Sequence, residues 1–300
     1  MKPPELRSRL TGVIAFPTTP FNDDLSLDLV GLRQNLQYLI EYPICAVVAA
    51  GGTGELYSLT PDEHRQVIQT TVSVVRGAVP VIAGVGFNQS LATAMAHDSE
   101  RFGADGILVF PPYYPLADDK GMFEYYSSIA DATQLGMFIY SRDWANFSPQ
   151  MVARLTQLET LIAWKDGQGD IRRLQSIMRE VGDHLHWIGG AGDDMVPAYY
   201  SIGIRTYTSS IAGVAPRLSL KLHELAAAGH AEELTTLMNR CVIPLYAIRG
   251  RRKGYEVSTM KALMNLAGLK GGVVRPPLMN VRSEELPELS TILEEWKAFM

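Results

Sequence analysis

The sequence predicts a (β/α)8 barrel, also called a TIM barrel, followed by a helical C-terminal extension. Eight short apolar runs alternate with amphipathic stretches before Gly229. The runs contain few polar residues, which is typical of parallel strands that are covered by helices. They return every ~20–30 residues, a spacing suited to right-handed βαβ units. No glycine-rich dinucleotide fingerprint follows the first run, so a closed barrel is favoured over a doubly wound sheet.

Each predicted strand is an apolar or β-branched run with a helical stretch after it. In chain order the runs are Val13–Phe16, Ala46–Ala50, Val81–Ala83, Gly106–Phe110, Gly136–Tyr140, Leu161–Lys165, His186–Gly189 and Arg205–Thr208. The pattern stops after Gly229. We therefore expect residues 1–229 to form the barrel and residues 230–300 to form a helical extension packed on it.

Local signals predict where several helices begin and end. Thr60-Pro-Asp-Glu63 has the form of a capping box and should open a helix that runs to about Arg76. Ser148-Pro149 should start another helix, and Gly103 should end the helix that begins near Ser90. In the extension we expect three helices, at His230–Ile248, Tyr255–Ala267 and Ser283–Phe299.

Composition excludes several classes of protein. With 300 residues and 47% hydrophobic content, the chain can bury a full-sized core. The net charge of -5 argues against a nucleic-acid partner, which would require a basic face. The apolar runs are too short to span a membrane, and no signal-type stretch follows the N-terminus. The two cysteines, Cys45 and Cys241, lie in apolar contexts typical of reduced thiols, so we expect a soluble, cytoplasmic protein.

Lys165 is the most informative candidate for chemistry. It ends an apolar run, and in barrels of this kind catalytic groups gather where strands end. A free lysine is neutral in only ~1 molecule in 2,500 at pH 7. Burial lowers the pKa and supplies the neutral amine that attacks a ketone to form a Schiff base. The alternative from position alone is a lysine that snorkels to solvent and pairs with Asp166.

Tyr140 ends the preceding predicted strand and should therefore lie beside Lys165. A hydrogen-bonded phenol can pass protons, although a tyrosine here could also simply fill the top of the barrel. Arg142, two residues later, could form a two-pronged salt bridge to a substrate carboxylate. A solvated loop arginine is the alternative interpretation.

The predicted strand ends point to further loops. Gly51-Gly-Thr-Gly-Glu55 lacks the ending of a nucleotide P-loop, so phosphate transfer is disfavoured. A glycine-rich turn before a helix instead offers bare backbone N–H groups suited to a carboxylate. The same rule selects Pro111-Pro-Tyr-Tyr114 after the fourth run and Ser209-Ser210 after the eighth.

Two other charged or titratable groups are weaker candidates. The histidine pair His184-Leu-His186 has no cysteine companions, and we do not predict a metal site there. The basic stretch Arg249-Gly-Arg-Arg-Lys253 could hold an anion, but it is interpreted as a solvated turn.

Taken together, the motifs resemble the dihydrodipicolinate synthase/N-acetylneuraminate lyase superfamily. The motifs that carry the resemblance are Phe16-Pro-Thr-Thr-Pro-Phe21, Gly51-Gly-Thr-Gly-Glu55, Ala104-Asp-Gly106, Tyr140 and Trp164-Lys-Asp166. The resemblance implies a Schiff-base enzyme in which Lys165 forms the covalent bond and Tyr140 relays protons. It also implies that the backbone of Gly52 and Thr53 holds the carboxylate of an α-keto acid.

Within this superfamily the chain looks most like the 5-dehydro-4-deoxyglucarate dehydratase branch. Gly51–Glu55, Tyr140-Ser-Arg-Asp143 and Trp164-Lys-Asp-Gly-Gln-Gly-Asp170 are similar to its motifs. The branch implies an α-keto sugar acid substrate, dehydrated and decarboxylated to 2,5-dioxopentanoate without a metal or organic cofactor. By the same resemblance, Arg142 would bind the distal carboxylate, Ser209 would contact substrate, and the chain would form a homotetramer. Tyr114, which the strand-end rule selects, is a further candidate for substrate binding.

Three alternatives remain open at this point. A class I aldolase of a 2-keto-3-deoxy sugar acid would keep Lys165 but release pyruvate rather than CO2. Dihydrodipicolinate synthesis is less favoured, because Gly52 stands where its relay would use a hydroxyl. A barrel that only binds a keto acid, as a sensor or scaffold, is disfavoured because both Lys165 and Tyr140 are present.

Overall fold

Eight parallel strands form the centre of the molecule. The computed structural model describes residues 1–114 and 116–300, and within them the strands close into a barrel in sequence order. They are β1 Gly12–Ala15, β2 Ala46–Ala49, β3 Val81–Val85, β4 Gly106–Val109, β5 Gly136–Ser141, β6 Leu161–Asp166, β7 His186–Gly189 and β8 Thr206–Ser209. The predicted fold class is confirmed, and all eight predicted strands are found with ends that agree to within two residues.

Helices surround the barrel and continue beyond it. Over the described residues they are α1 Pro3–Ser8, α2 Leu29–Leu39, α3 Pro61–Val75, α4 Gln89–Arg101, α5 Asp119–Ala130, α6 Pro149–Leu155, α7 Ile171–Val181, α8 Val196–Ser201, α9 Pro216–Ala228, α10 Ala231–Leu237, α11 Ile243–Arg249, α12 Tyr255–Leu266 and α13 Leu286–Trp296. The predicted capping box at the start of α3 is confirmed, because the Thr60 hydroxyl accepts from the Glu63 N–H and the Glu63 carboxylate accepts from the Thr60 N–H. Ser148 caps α6 as expected.

The core has two layers because successive strand residues point to opposite faces. One set of side chains packs outward against the helices, and the other fills the barrel. Helix α1, which the sequence did not predict, closes the N-terminal end of the barrel. Its Leu6 and the following Leu10 are fully buried among the inward-facing side chains. The N-terminal end of the barrel is therefore sealed with apolar groups, and polar groups gather at the opposite end.

The extension after Gly229 is helical. Helices α10 and α11 are joined by a π-helical stretch, Met238–Val242, so the chain is helical from Ala231 to Arg249. Pro244 at the start of α11 has no N–H to donate to the preceding turn, which accounts for the local widening. Within residues 1–114 and 116–300 no helix combines the length and the apolar character needed to cross a membrane.

Candidate active site

A cavity of about 970 Å³ opens at the C-terminal ends of the strands. Loops that follow the strands form its wall, and residues from the helical extension complete it. Of the seven candidate residues, six line it: Gly52, Thr53, Tyr114, Tyr140, Arg142 and Lys165. The strand-end rule therefore located the pocket from sequence, and the structure brings most of the predicted residues together.

Lys165 points into this cavity and is only 4% exposed. Its Nζ donates to the Gly190 carbonyl at 2.9 Å. Among the described residues no carboxylate oxygen lies within 4.0 Å of Nζ, and the Asp166 carboxylate instead accepts from the Tyr199 hydroxyl at 2.7 Å. The alternative of a lysine paired with Asp166 is thus not what the structure contains. Burial lowers the pKa of Lys165, which favours the neutral amine.

Gly190 leaves the room that the lysine occupies. A Cβ atom on Gly190 would lie 2.4 Å from Lys165 Cγ and 2.7 Å from Nζ. Any larger residue at this position would collide with the buried side chain. The glycine after β7 is therefore part of what shapes the site.

Tyr140 lies beside Lys165, as the sequence predicted. The two residues are register partners in β5 and β6, and Nζ lies 3.3 Å from the centroid of the phenol ring. Burial tends to raise the pKa of Tyr140, but the positive charges of Lys165 and Arg142 outweigh it and lower that pKa overall. The Arg142 guanidinium donates to the phenol oxygen at 3.2 Å. The Arg142 side chain is half exposed, and its Nε lies 3.4 Å from the Asp143 carboxylate. Two protein groups, the phenol and this carboxylate, therefore share its charge.

The loop after β2 presents two backbone N–H groups to the cavity. The amides of Gly52 and Thr53 donate to no protein carbonyl or side chain in the described part of the chain, and both residues line the pocket. A Cβ on Gly52 would meet only Phe110, at 3.9 Å, so the space beside this glycine is open. Free N–H groups that face a cavity suit a carboxylate.

This loop is held on both flanks. Thr19 donates its hydroxyl to the Gly54 carbonyl at 2.7 Å. On the other side the fully buried Glu55 carboxylate lies 2.5 Å from Nζ of Lys261 in α12. The extension thus fixes a loop of the barrel mouth through a buried ion pair, which the sequence did not reveal.

Of the two remaining candidates, Tyr114 lies at the cavity and Ser209 does not. Tyr114 sits on the pocket rim, 86% exposed, with φ of +76°. Ser209 is fully buried behind the wall, where its hydroxyl donates to the Asp193 carboxylate and bonds Ser219 of α9 at 2.8 Å.

The expectation that Ser209 contacts substrate does not match this position. The strand β8 extends one residue further than predicted, through Ser209, and neighbouring residues of a strand face opposite sides. Thr208 and Ser210 line the cavity instead. Ser209 supports Asp193, whose pKa burial raises to about 6.

Arg249 is the functional candidate that sequence reasoning missed. Arg251, Arg252 and Lys253 are exposed, as expected of a solvated turn. Arg249 is the exception: it is only 7% exposed, lines the cavity, and donates from Nη2 to the Ser210 hydroxyl at 2.7 Å. It is the last residue of α11 rather than part of the turn, and its arginine neighbours hid that difference in the sequence.

The histidine pair lies outside the cavity lining. In the described ranges no group of three or more His, Cys, Asp or Glu side chains is placed to hold a metal ion. His186 Nε2 lies 2.8 Å from the Thr206 hydroxyl at the start of β8, away from the cavity. Cys45 and Cys241 are not joined to another cysteine.

Comparisons with known proteins agree with this geometry. Residues 9–296 match the Dihydrodipicolinate synthetase family. A probable 5-dehydro-4-deoxyglucarate dehydratase of Bradyrhizobium diazoefficiens is 34% identical over 99% of this chain and 96% of its own length. The protein of that name from Bacillus licheniformis is 36% identical over 97% of this chain and 95% of its own length. The crystal structure of dihydrodipicolinate synthase from Oceanobacillus iheyensis superposes with a TM-score of 0.92 at 29% identity, covering 98% of this chain and 99% of that one. The chain therefore belongs to the dihydrodipicolinate synthetase family of lyases.

Proposed function

We propose that this protein is a Schiff-base lyase that dehydrates and decarboxylates 5-dehydro-4-deoxyglucarate to 2,5-dioxopentanoate. The observation that carries the proposal is Lys165, a buried amine with no carboxylate partner among the described residues, beside Tyr140. The names of the relatives, at 34–36% identity over nearly the full chain, favour this substrate within the family.

The first step is condensation at C5 of the substrate. The neutral Nζ of Lys165 attacks the ketone, water leaves, and an iminium forms. The C6 carboxylate, next to this carbon, would accept from the free N–H groups of Gly52 and Thr53. A fixed carboxylate orients the ketone toward the lysine and so raises its effective concentration.

Elimination follows because the iminium is an electron sink. A C4 proton is lost, with Tyr140 as the proposed acceptor, and the electron pair forms an enamine. The enamine expels the C3 hydroxyl as water after protonation, which leaves an iminium conjugated with a C3–C4 double bond. Tyr140 suits this relay because the charges of Lys165 and Arg142 lower its pKa.

Decarboxylation uses the same conjugated system. As CO2 leaves, the C1–C2 electron pair moves into the extended iminium and gives a dienamine that carries an enol at C2. Protonation at C4, tautomerisation of the enol to an aldehyde and hydrolysis of the iminium release 2,5-dioxopentanoate and regenerate Lys165. One CO2 and one net water are lost from each substrate molecule.

A product assay on synthetic 5-dehydro-4-deoxyglucarate tests the proposal. We expect one equivalent of CO2 for each 2,5-dioxopentanoate formed, and neither product from a Lys165→Ala variant. Release of pyruvate from keto-deoxy sugar acids without CO2 would indicate a class I aldolase instead. Binding of the acid with no turnover would indicate a keto-acid-binding barrel.

The assembly and location remain proposals drawn from the family resemblance. We propose a cytoplasmic homo-oligomer, in keeping with the tetramer that the resemblance implies. Tyr113, Tyr114 and Leu116 beside the cavity are each more than three-quarters exposed, and clustered apolar side chains of this kind are typical of interaction surfaces. Light scattering in solution would measure the assembly directly.

A further inference from the structure

We propose that Arg249 binds the second carboxylate of the substrate, so that this site selects α-keto diacids over α-keto monoacids. The inference rests on the proposed function and names the residue that reads the far end of the substrate. The resemblance had assigned this role to Arg142.

Arg249 carries a buried charge that lacks a counter-ion among the described residues. Arg249 is only 7% exposed, and its buried Nε has no hydrogen-bond partner among the described residues. Over the same residues no carboxylate oxygen lies within 4.0 Å of the guanidinium. Arginine is almost never buried without a counter-ion. A buried cation without a counter-ion that lines a cavity would be stabilised by an anion bound in that cavity.

Arg249 lines the same cavity as the reacting amine of Lys165. Lys165 Nζ bonds the Gly190 carbonyl, and three residues later the Asp193 N–H donates to the Tyr246 hydroxyl at 2.7 Å. The Tyr246 ring lies 4.9 Å from the Arg249 guanidinium carbon. Arg249 therefore stands above the β7–β8 side of the mouth, whereas the free amides of Gly52 follow β2. A six-carbon diacid could therefore place one carboxylate at the amides after β2 and the other at Arg249.

Arg142 differs from Arg249 in exposure and in the number of protein groups around its guanidinium. The Arg142 side chain is half exposed, bonds the Tyr140 phenol at 3.2 Å and lies 3.4 Å from Asp143. Its donors are already partly used, and water reaches the rest. Within the described residues, Arg249 uses one donor on Ser210 and keeps the others free. A planar guanidinium with free donors can bind a carboxylate in two-pronged fashion.

Two acidic groups lie near Arg249 and must be considered. Its charge opposes the burial that raises the pKa of Asp193 and of Asp194, so both carboxylates sense it. Asp193, however, is already bonded to Ser209. Without Arg249 this side of the cavity would repel an anion, so the arginine is what would make it acceptable to a carboxylate.

The test compares two keto acids that differ only at the far end. 2-Oxoadipate has the six-carbon diacid skeleton of the proposed substrate, and 2-oxohexanoate replaces its distal carboxylate with a methyl group. Neither has a hydroxyl to eliminate, so each should stop at the iminium. Calorimetry measures their affinities for wild type, Arg249→Gln, Arg249→Lys and Arg252→Gln, and borohydride added to the same samples reports whether an adduct forms on Lys165.

We expect wild type to bind 2-oxoadipate about 10- to 100-fold more tightly than 2-oxohexanoate, the range of a charge-assisted contact. Arg249→Gln should lose this preference while binding 2-oxohexanoate as wild type does, and Arg249→Lys should fall between. Arg252→Gln makes the same chemical change on an exposed neighbour, 40% exposed, and should behave as wild type.

Equal weakening of both acids in Arg249→Gln would overturn the assignment, because the arginine would then be structural. An unchanged preference, or a wild type that does not discriminate, would overturn it as well. Failure of the Schiff-base chemistry looks different: the acids would bind with the expected preference, but borohydride would leave no adduct on Lys165.

Discussion

Two buried cations from the helical extension reach the barrel mouth, and they differ in whether a carboxylate of the protein neutralises them. Lys261 in α12 is 1% exposed, lies 2.5 Å from the Glu55 carboxylate and donates to the Val273 carbonyl at 2.7 Å. Arg249 at the end of α11 is 7% exposed, and over the described residues its side chain makes one hydrogen bond, to the Ser210 hydroxyl. Lys261 is sealed between barrel and extension, whereas Arg249 faces the cavity.

The presence or absence of a carboxylate partner distinguishes a buried charge that stabilises the fold from one that is available to bind a ligand. In a buried ion pair the two charges neutralise each other, and removing one partner leaves the other as an uncompensated buried charge. A buried cation without a partner weakens the empty protein and gains its counter-ion only when an anion binds. Lys165 belongs with Arg249, since it too lines the cavity and has no carboxylate within 4.0 Å in the part of the chain that the structure describes. Arg142 is intermediate, because it shares its charge between Tyr140 and Asp143.

The largest expected effect is on stability, from Lys261→Met. This change leaves the fully buried Glu55 carboxylate without its counter-charge, which typically costs about 3–5 kcal/mol. Chemical denaturation should show the free energy of unfolding reduced by that amount. Lys270→Met removes an exposed lysine from the same region and should change it by less than about 0.5 kcal/mol.

A double variant sharpens this prediction. In Glu55→Gln/Lys261→Met both charges are gone, so much of the loss should be recovered relative to Lys261→Met alone. If the single and double variants are equally stable and resemble wild type, the pair does not hold the mouth together, and the contrast with Arg249 disappears.

A smaller effect is expected from Arg142→Gln, now on turnover. Arg142 helps to lower the pKa of Tyr140, so its removal should raise that pKa and move the Tyr140 limb of the pH–rate profile to higher pH. We expect turnover near neutral pH to fall by roughly 10-fold, about 1.4 kcal/mol in the barrier. Arg142→Lys keeps the charge and should shift the limb less. A lower rate with an unmoved limb in Arg142→Gln would argue against the electrostatic role.

The smallest expected effect is on the stability of the ligand-free Arg249→Gln variant. No ion pair is lost, and glutamine can replace the single bond to Ser210, so the free energy of unfolding should stay within about 1 kcal/mol of wild type. Added 2-oxoadipate should raise the thermal midpoint of wild type more than that of the variant, because the variant binds this acid only as tightly as 2-oxohexanoate. A loss as large as that of Lys261→Met would place Arg249 among the structural charges.

Most of the fold could be predicted from sequence because its signals are local. Apolar strands, the capping box at Thr60 and the proline after Ser148 act over a few residues. Helix α1 was missed because six residues that begin with two prolines carry too little periodicity to predict a helix. Its role depends on packing beneath the barrel, where Leu6 meets the glycines that begin β4 and β5.

The candidate site was predictable only where strands alone place it. Lys165 and Tyr140 follow from two neighbouring strand ends, and the register confirms that they are partners. Ser209 was predicted to follow β8 and to contact substrate, but it is the last residue of that strand, where it alternates with Thr208 and lies outside the cavity lining. Arg249 and the pair Glu55–Lys261 depend on how α11 and α12 pack across the mouth, and no local pattern encodes that.

Borohydride trapping compares the two buried lysines directly and tests the central claim that Lys165 is the covalent catalyst. Burial lowers the pKa of both lysines, that of Lys261 to about 8, so a depressed pKa alone cannot decide between them. Incubation with 2-oxoadipate and borohydride, followed by peptide mass mapping, should place the reduced adduct on Lys165 alone. The rate of adduct formation should rise with pH already below the usual pKa of lysine, because burial lowers the pKa of Lys165. Lys165→Arg should form no adduct. Binding of the acid without an adduct, or an adduct on Lys261 or any other lysine, would contradict the account.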